Sequence, residues 1–287
     1  MNQDSVPVLM QGKAHIYAAA MKKLINNKEF SDVTFCVGAS KDIIYAHQSI
    51  LAAHCTVFKA MFLDSNRERE DVCFDIEDMT PQTFLSMLEY IYTNFISLDS
   101  HNAVDVLATA LEYGLDDLRD LCVEFLIKTL QVSNACDVMQ CAVTYNQNDL
   151  KEMAMVFIED NTKEVLFSNS FKDISEDALV TIIRSSKLEI DETDLIKAVK
   201  TWASVNAVAD GKQMFQMARD AIKHIRLPLL SSDELSVLEG ESTEDLFIPA
   251  ELFTSAHEFI QQGGKEHIMC TPRRGTKQRE HHCQIGH

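Results

Sequence analysis

The sequence predicts an α+β domain, a short sheet surrounded by helices, followed by an all-α helical domain. Three observations carry this reading. β-branched and aromatic runs crowd into the first part of the chain: Val33-Thr34-Phe35-Cys36-Val37, Ile43-Ile44-Tyr45-Ala46 and Val72-Cys73-Phe74-Asp75-Ile76, compositions suited to half-buried strands. Apolar residues at helical spacing flank those runs on both sides. Beyond Ser133-Asn134 the pattern turns almost purely helical. With 287 residues and 46% hydrophobic content, the chain is long enough for two domains with substantial cores.

Taken in order, Ile16, Tyr17, Ala20, Met21, Leu24 and Ile25 mark one face of a helix ending near Asn26-Asn27. The first strand stops at Gly38, and the second pairs with it across the turn from Ala39 to Asp42. His47 closes the second strand, where a hydrogen-bonding histidine is the expectation; without a nearby nucleophile it is no sign of catalysis. Gln48 to Ala53 begins a helix, and Phe58, Met61 and Phe62 supply a large apolar face after it. A polar run, Asp64 to Asp71, leads into the third strand. Thr80-Pro81 opens the next helix, because Thr caps and proline at the first helical position loses no needed hydrogen bond. Phe84, Leu85, Met87, Leu88, Ile91 and Tyr92 are its apolar residues. Gly114 separates helices over Ala103–Tyr113 and Leu115–Leu130.

In the second part, Cys136, Met139, Cys141-Ala142 and Tyr145 mark one helix, and Leu150, Met153, Ala154, Phe157 and Ile158 another. Asp191 is placed to cap the helix beginning at Glu192, Ser231 with Glu234 forms a capping box, and Pro228 breaks the chain between helices. Helical patterns continue over 241–264, and residues 265–287 read as a disordered basic tail with five Lys/Arg against Glu266 and Glu280.

The formal net charge of −18 argues against direct nucleic-acid binding, since a phosphate backbone would be repelled by most of the surface. No apolar run approaches the roughly 18 residues of a membrane span, so no membrane partner is expected. Cys36, Cys55, Cys73 and Cys122 sit in apolar patterns and read as reduced core residues. The chain starts without a basic, apolar leader. Together these features point to an intracellular setting, cytoplasmic or nuclear.

The chain contains no Gly-x-Ser-x-Gly, no His-Glu-x-x-His and no glycine-rich phosphate loop. No enzymatic activity and no cofactor are expected. His267, Cys270, His281, His282, Cys283 and His287 offer zinc-type donors. They lack a Cys-x-x-Cys pair and an apolar surround, so no metal site is expected.

The fragments Phe30-Ser31-Asp32-Val33, Ala46-His47, Ile50-Leu51-Ala52-Ala53, Phe58-x-x-Met61-Phe62, Tyr90-Ile91-Tyr92-Thr93 and Tyr113-Gly114-Leu115 resemble a BTB (POZ) domain over 14–130. Phe167-x-x-x-Phe171, Leu188-x-Ile190-x-Glu192, Val199-x-x-Trp202 and Ile225-Arg226-Leu227-Pro228-Leu229-Leu230 resemble a BACK domain over 134–240. Kelch-type relatives continue into a propeller of roughly 50-residue repeats, for which this chain is too short. Cys55 departs from the family pattern, which usually has serine there.

The resemblance implies a protein–protein adaptor that forms a homodimer and brings an unknown client to a cullin-3 ubiquitin ligase. The dimer face would comprise Ile16, Tyr17, Ala20, Met21 and Leu24; the alternative is that this stripe packs on its own domain. Val6 to Met10 would add an edge strand for a partner subunit, with Pro7 limiting its regularity. The cullin contact would comprise Phe62, Leu63, Glu68, Tyr90 and Tyr92. Asn66 departs from the apolar anchor of cullin-binding relatives, and an amide there forgoes burial worth about 1.5–3 kcal/mol. A dimeric scaffold or transcriptional co-regulator without cullin is therefore the second reading.

Overall fold

The computed structural model describes residues 10–64, 73–261 and 271–279. Contacts divide the chain into two compact units, one up to Leu126 and one from Ile127 on. The division falls just ahead of the boundary that the change of pattern suggests.

The N-terminal unit contains α1 (Ala14–Lys22), β1 (Val33–Val37), β2 (Asp42–Ala46), α2 (Gln48–His54), α3 (Thr56–Asp64), β3 (Cys73–Ile76), α4 (Pro81–Thr93), α5 (Ala103–Glu112) and α6 (Asp116–Lys128). Strand order is β2-β1-β3. β1 and β2 form the expected hairpin, antiparallel with Val33 opposite Ala46. β3 runs parallel to β1, with Phe74 beside Phe35. Gly38 turns the hairpin at φ +70°, and a Cβ there would lie 3.1 Å from Pro81 and 3.2 Å from the Met79 carbonyl. Any side chain at this position meets both strain and crowding.

Strand alternation sorts the sheet into two faces. Val33, Phe35 and Val37 are buried on one; Thr34 and Cys36 are half-buried on the other. Phe35 is fully buried, with ring centroids 5.6 Å from Phe58, 5.5 Å from Phe74 and 5.0 Å from Phe84. Phe58 continues the cluster to Tyr113 at 5.0 Å. Helix α4 completes this core, opened by Thr80, whose hydroxyl accepts from the Thr83 amide, and by Pro81 at its first turn.

One expectation fails on the opposite face. Cys36 and Cys73 are joined as a disulfide, with Cα atoms 6.0 Å apart, rather than lying reduced in the core. The parallel register sets Cys73 beside Thr34 and Asp75 beside Cys36, so the two cysteines are diagonal neighbours within bridging distance. Cys55 and Cys122 are buried and in no disulfide, as expected.

The C-terminal unit is helical: α7 (Ala135–Thr144), α8 (Asn148–Asp160), α9 (Thr162–Leu166), α10 (Glu176–Ile183), α11 (Glu192–Asp210), α12 (Met214–Met217), α13 (Arg219–Ile222), α14 (Ser232–Asp245) and α15 (Ala250–Gln261), with 3₁₀ turns at Ser170–Asp173 and Leu227–Leu229. Helix α11 begins at the Asp191 cap and ends at Gly211, φ +65°. Its Trp202 is fully buried and donates its indole N–H to the Ile174 carbonyl at 2.8 Å. The Ser231/Glu234 capping box opens α14 with both of its reciprocal hydrogen bonds. Helix α14 runs without a break from residue 240 into 241, where the helical extension was expected to begin.

The tail also differs from expectation. Residues 271–279 are seated on the C-terminal unit, and Arg273 is buried. The zinc-type donors His267, Cys270, His281, His282, Cys283 and His287 lie outside the described residues. No helix among the described residues is long and apolar enough to cross a membrane.

Phe35 touches three other buried rings, so truncation removes packing that its neighbours cannot close. Phe35→Ala is expected to cost about 3–5 kcal/mol. Urea denaturation of the wild-type and variant chains measures this, following a signal from the N-terminal unit.

Candidate functional site

Two regions hold the residues that sequence reasoning singled out, or should have singled out, for interaction. The first is α1. Helix α1 packs on α4 through a face that includes the buried Ala18. Lys22 reaches across to Glu89, an exposed pair that contributes little to stability. The expected partner stripe divides on this packing. Ile16 and Tyr17 are 59% and 64% exposed, and Ala20 is exposed with them, whereas Met21 and Leu24 are half-buried. Phe30, noted only as a motif residue, is 82% exposed and held at φ +65°.

The described residues expected to meet cullin, Phe62, Leu63, Tyr90 and Tyr92, differ in exposure. Leu63 is 74% exposed. Phe62 is half-buried, stacked on Phe58 at 6.0 Å and edge-on to Phe74 at 5.5 Å. Glu68 lies outside the described residues, as do Asn66 and Arg67. Tyr90 and Tyr92 are buried, which corrects their expected place at a partner surface. The cause is that α4 is covered by α1, α2 and α5, so its core face is wider than one stripe. Tyr92 instead serves the interior. Its hydroxyl takes the His47 amide N–H at 2.9 Å and bonds His47 Nδ1 at 3.0 Å. Burial pushes the Tyr92 phenol up to about 12. His47 therefore has the hydrogen-bonding role expected of it.

The second region lies on the C-terminal unit around the start of α11, and sequence reasoning missed it. Glu192, in the first turn of that helix, is fully buried. One carboxylate oxygen accepts the Arg226 amide at 2.6 Å; the other accepts Arg273 Nε at 3.0 Å, in an ion pair with neither side chain exposed. Arg273 gives three further donors to the carbonyls of Ile183, Ser185 and His224. Arg226 directs its guanidinium to the Thr271 carbonyl and to the Ser186 hydroxyl.

The backbone of the seated segment is held as well. Arg274 N–H donates to the Ser186 carbonyl at 2.9 Å and Gly275 N–H to the Leu188 carbonyl at 3.2 Å. A Cβ on Gly275 would fall 2.2 Å from the Ile190 nitrogen, so only glycine fits. Lys277 N–H donates to Asp191 at 2.8 Å. Arg279 then clamps Asp191 through its two terminal guanidinium nitrogens, at 3.0 and 2.9 Å, and also reaches Glu234 through Nε.

Burial alone would raise the Asp191 carboxyl. The opposing hydrogen bonds from Arg279, Thr193 and the Lys277 amide outweigh it and hold the group well below the usual carboxylate range. Glu234 follows the same pattern: burial raises it, and Arg279 with Ser231 brings it below its ordinary value. His224 is lowered, first by burial and then by Arg184 and Arg273. Glu192 and Arg226 stand in motifs visible in the sequence, but the tail arginines were read only as charge. Among the described residues, no group of three His, Cys, Asp or Glu side chains is arranged to hold a metal.

A family model described as BTB/POZ domain matches residues 21–130, and one described as BTB And C-terminal Kelch matches residues 135–238. The chain is 38% identical to BTB/POZ domain-containing protein 19 of Homo sapiens over 282 residues, 97% of each chain. It is 38% identical to the Bos taurus protein of that name over 278 residues, 96% of each. BTB/POZ domain-containing protein 9 of Rattus norvegicus is 32% identical over 225 residues, 77% of this chain and 35% of that protein.

Depressed carboxyl values make the seat of residues 271–279 acid-sensitive in a defined window. The stability contributed by Asp191 and Glu234 is fully present above their unfolded-state values near about 4, and is lost as pH falls through the lower folded values. Hydrogen-exchange protection of the Gly275 and Lys277 amides is therefore expected to hold at pH 5 to 7 and to fade only below about pH 4. Arg279→Gln is expected to bring the Asp191 carboxyl back toward about 4, read by carboxyl NMR titration.

Proposed function

The chain belongs to the family of BTB/POZ proteins that carry a BACK domain, and from that premise we propose that it is a non-catalytic homodimeric adaptor recruiting a client to a cullin-3 ubiquitin ligase inside the cell. The observation that carries the dimer is the exposed pair Ile16 and Tyr17, beside Ala20, on a helix whose opposite face is already satisfied by α4. Large apolar side chains left together on one helix face favour a protein partner. Met21 and Leu24, half-buried at the edge of that face, would close the contact at its rim. Cullin would meet Leu63 and the exposed part of Phe62, with Glu68 beside them in sequence. The ubiquitin chemistry would belong to other subunits.

Burial of Tyr90 and Tyr92 shortens the expected cullin contact to three residues, and Asn66 replaces its apolar anchor. Those two facts favour the second reading, a dimeric scaffold or transcriptional co-regulator that binds no cullin.

Light scattering after size exclusion is expected to give a dimer at micromolar concentration. Ile16→Glu with Tyr17→Glu is expected to give a folded monomer, because both side chains are exposed and the cost falls on the interface. A folded wild-type monomer rejects the dimer.

Titration with the N-terminal region of cullin-3 is expected to show saturable binding, weakened by Leu63→Glu and by Glu68→Lys. Absence of binding at tens of micromolar, on the order of 6–7 kcal/mol of affinity, leaves the scaffold reading.

A further inference from the structure

Residues 271–279 are held in a way that suits a ligand better than a structural element. In this segment Thr271, Pro272, Arg274, Lys277 and Gln278 are exposed, and the described side chains bring no aliphatic or aromatic group into the core. What enters the unit is the Arg273 guanidinium, a glycine backbone and the Arg279 fork. The receiving surface is built by residues far away in sequence: Ile183 to Glu192, His224 to Arg226, and Glu234. We propose that this groove is a recognition site for arginine–glycine peptides of the form Arg-x-Gly-Thr-x-x-Arg, and that the chain's own residues 271–279 occupy it in cis as a detachable ligand.

Each specified position follows from a contact. The first arginine enters a fully buried slot where one carboxylate and three carbonyls take its donors. Lysine cannot span that set, because its three donors diverge from a single nitrogen. Glycine is required where the peptide backbone passes the Ile190 nitrogen. Threonine shapes the ligand itself: the Thr276 hydroxyl accepts the Arg273 amide at 2.8 Å, and the Thr276 amide returns to the Arg273 carbonyl at 3.0 Å. The last arginine meets Asp191 two-pronged and bridges to Glu234, the geometry in which guanidinium exceeds ammonium. Arg274 does not contribute to selectivity: it is 58% exposed, and its nearest carboxylates are at 3.5 and 3.8 Å.

Covalent attachment gives the cis copy a local concentration on the order of millimolar. A partner carrying the same motif would compete on those terms, and its binding would release residues 271–279. This proposal stands apart from the cullin reading, since none of its contacts involves the N-terminal unit.

The test uses full-length chains and a fluorescein-labelled peptide of residues Thr271 to Arg279. Gly275→Val unseats the cis segment while leaving every groove residue intact; Arg273→Ala with Arg279→Ala does so by removing both anchors. The expected result is saturable polarisation binding to both variants, at least about tenfold weaker binding to wild type, and loss of binding for a peptide carrying the Gly→Val change. Three results would overturn the proposal. One is that variants with wild-type helical circular dichroism fail to bind the peptide. Another is that wild type binds it as tightly as the variants do. The third is that both variants lose their helical signal, which makes the segment an integral part of the unit.

Discussion

A carboxylate with no exposure needs partners on both oxygens, because an unpaired buried charge costs several kcal/mol. Glu192 meets that requirement with the Arg226 amide and the Arg273 guanidinium. Satisfying one side chain therefore draws three separate stretches to the start of α11. The chain around Arg226 must deliver an amide, the end of α10 and the turn after it must offer the carbonyls of Ile183 and Ser185, and residues 271–279, or a peptide in their place, must deliver a cation. The neighbouring Asp191 has a parallel double duty, capping α11 through Thr193 while receiving Arg279 from outside. Helix initiation and segment binding thus share the same two residues.

The N-terminal unit is governed instead by the two-residue period of its central strand. That period sends Phe35 into a cluster of rings and leaves Cys36 opposite, linked to Cys73. Once α4 has supplied Phe84, Met87, Leu88 and Ile91 to the core, α1 is left with one face toward α4 and one that no described residue of its unit covers. The expected stripe divides accordingly: Met21 and Leu24 are half-buried, whereas Ile16, Tyr17 and Ala20 are exposed. Helical periodicity alone could not separate these outcomes, because a nine-residue helix has room for two apolar faces only a few residues apart.

Local chemistry was legible. The Thr80-Pro81 start, the Asp191 cap, the Ser231/Glu234 box and the hairpin closing at Gly38 all depend on neighbouring residues, and all occur as the sequence suggests. What depended on distant partners was not legible. The disulfide required the parallel register of β3 against β1, and no local signal sets that register. The resemblance set Tyr90 and Tyr92 at a partner surface, and the helix taken alone shows only its own faces, not the three helices that cover it. Residues 271–279 looked disordered because their composition offers no aliphatic core; their burial comes from matching charges and from one position without a Cβ.

Net charge explains why a basic segment is retained near this unit but not where it rests. Four basic residues within seven, Arg273, Arg274, Lys277 and Arg279, belong to a chain whose other residues hold 22 Lys/Arg against 44 Asp/Glu, a net of −22. That attraction is nearly indifferent to place, and salt screens it beyond roughly 8–10 Å. Arg274 illustrates such contacts, exposed and loosely shared between Asp160 and Glu189. Selection comes from two positions that do not tolerate approximation. Arg273 must fill a slot closed to solvent, or Glu192 loses its cation. Gly275 must pass the α11 entry at a distance that excludes even a methyl group. Steric exclusion thus turns a general electrostatic attraction into a single register, and the acidic surface around the groove supplies encounter rather than recognition.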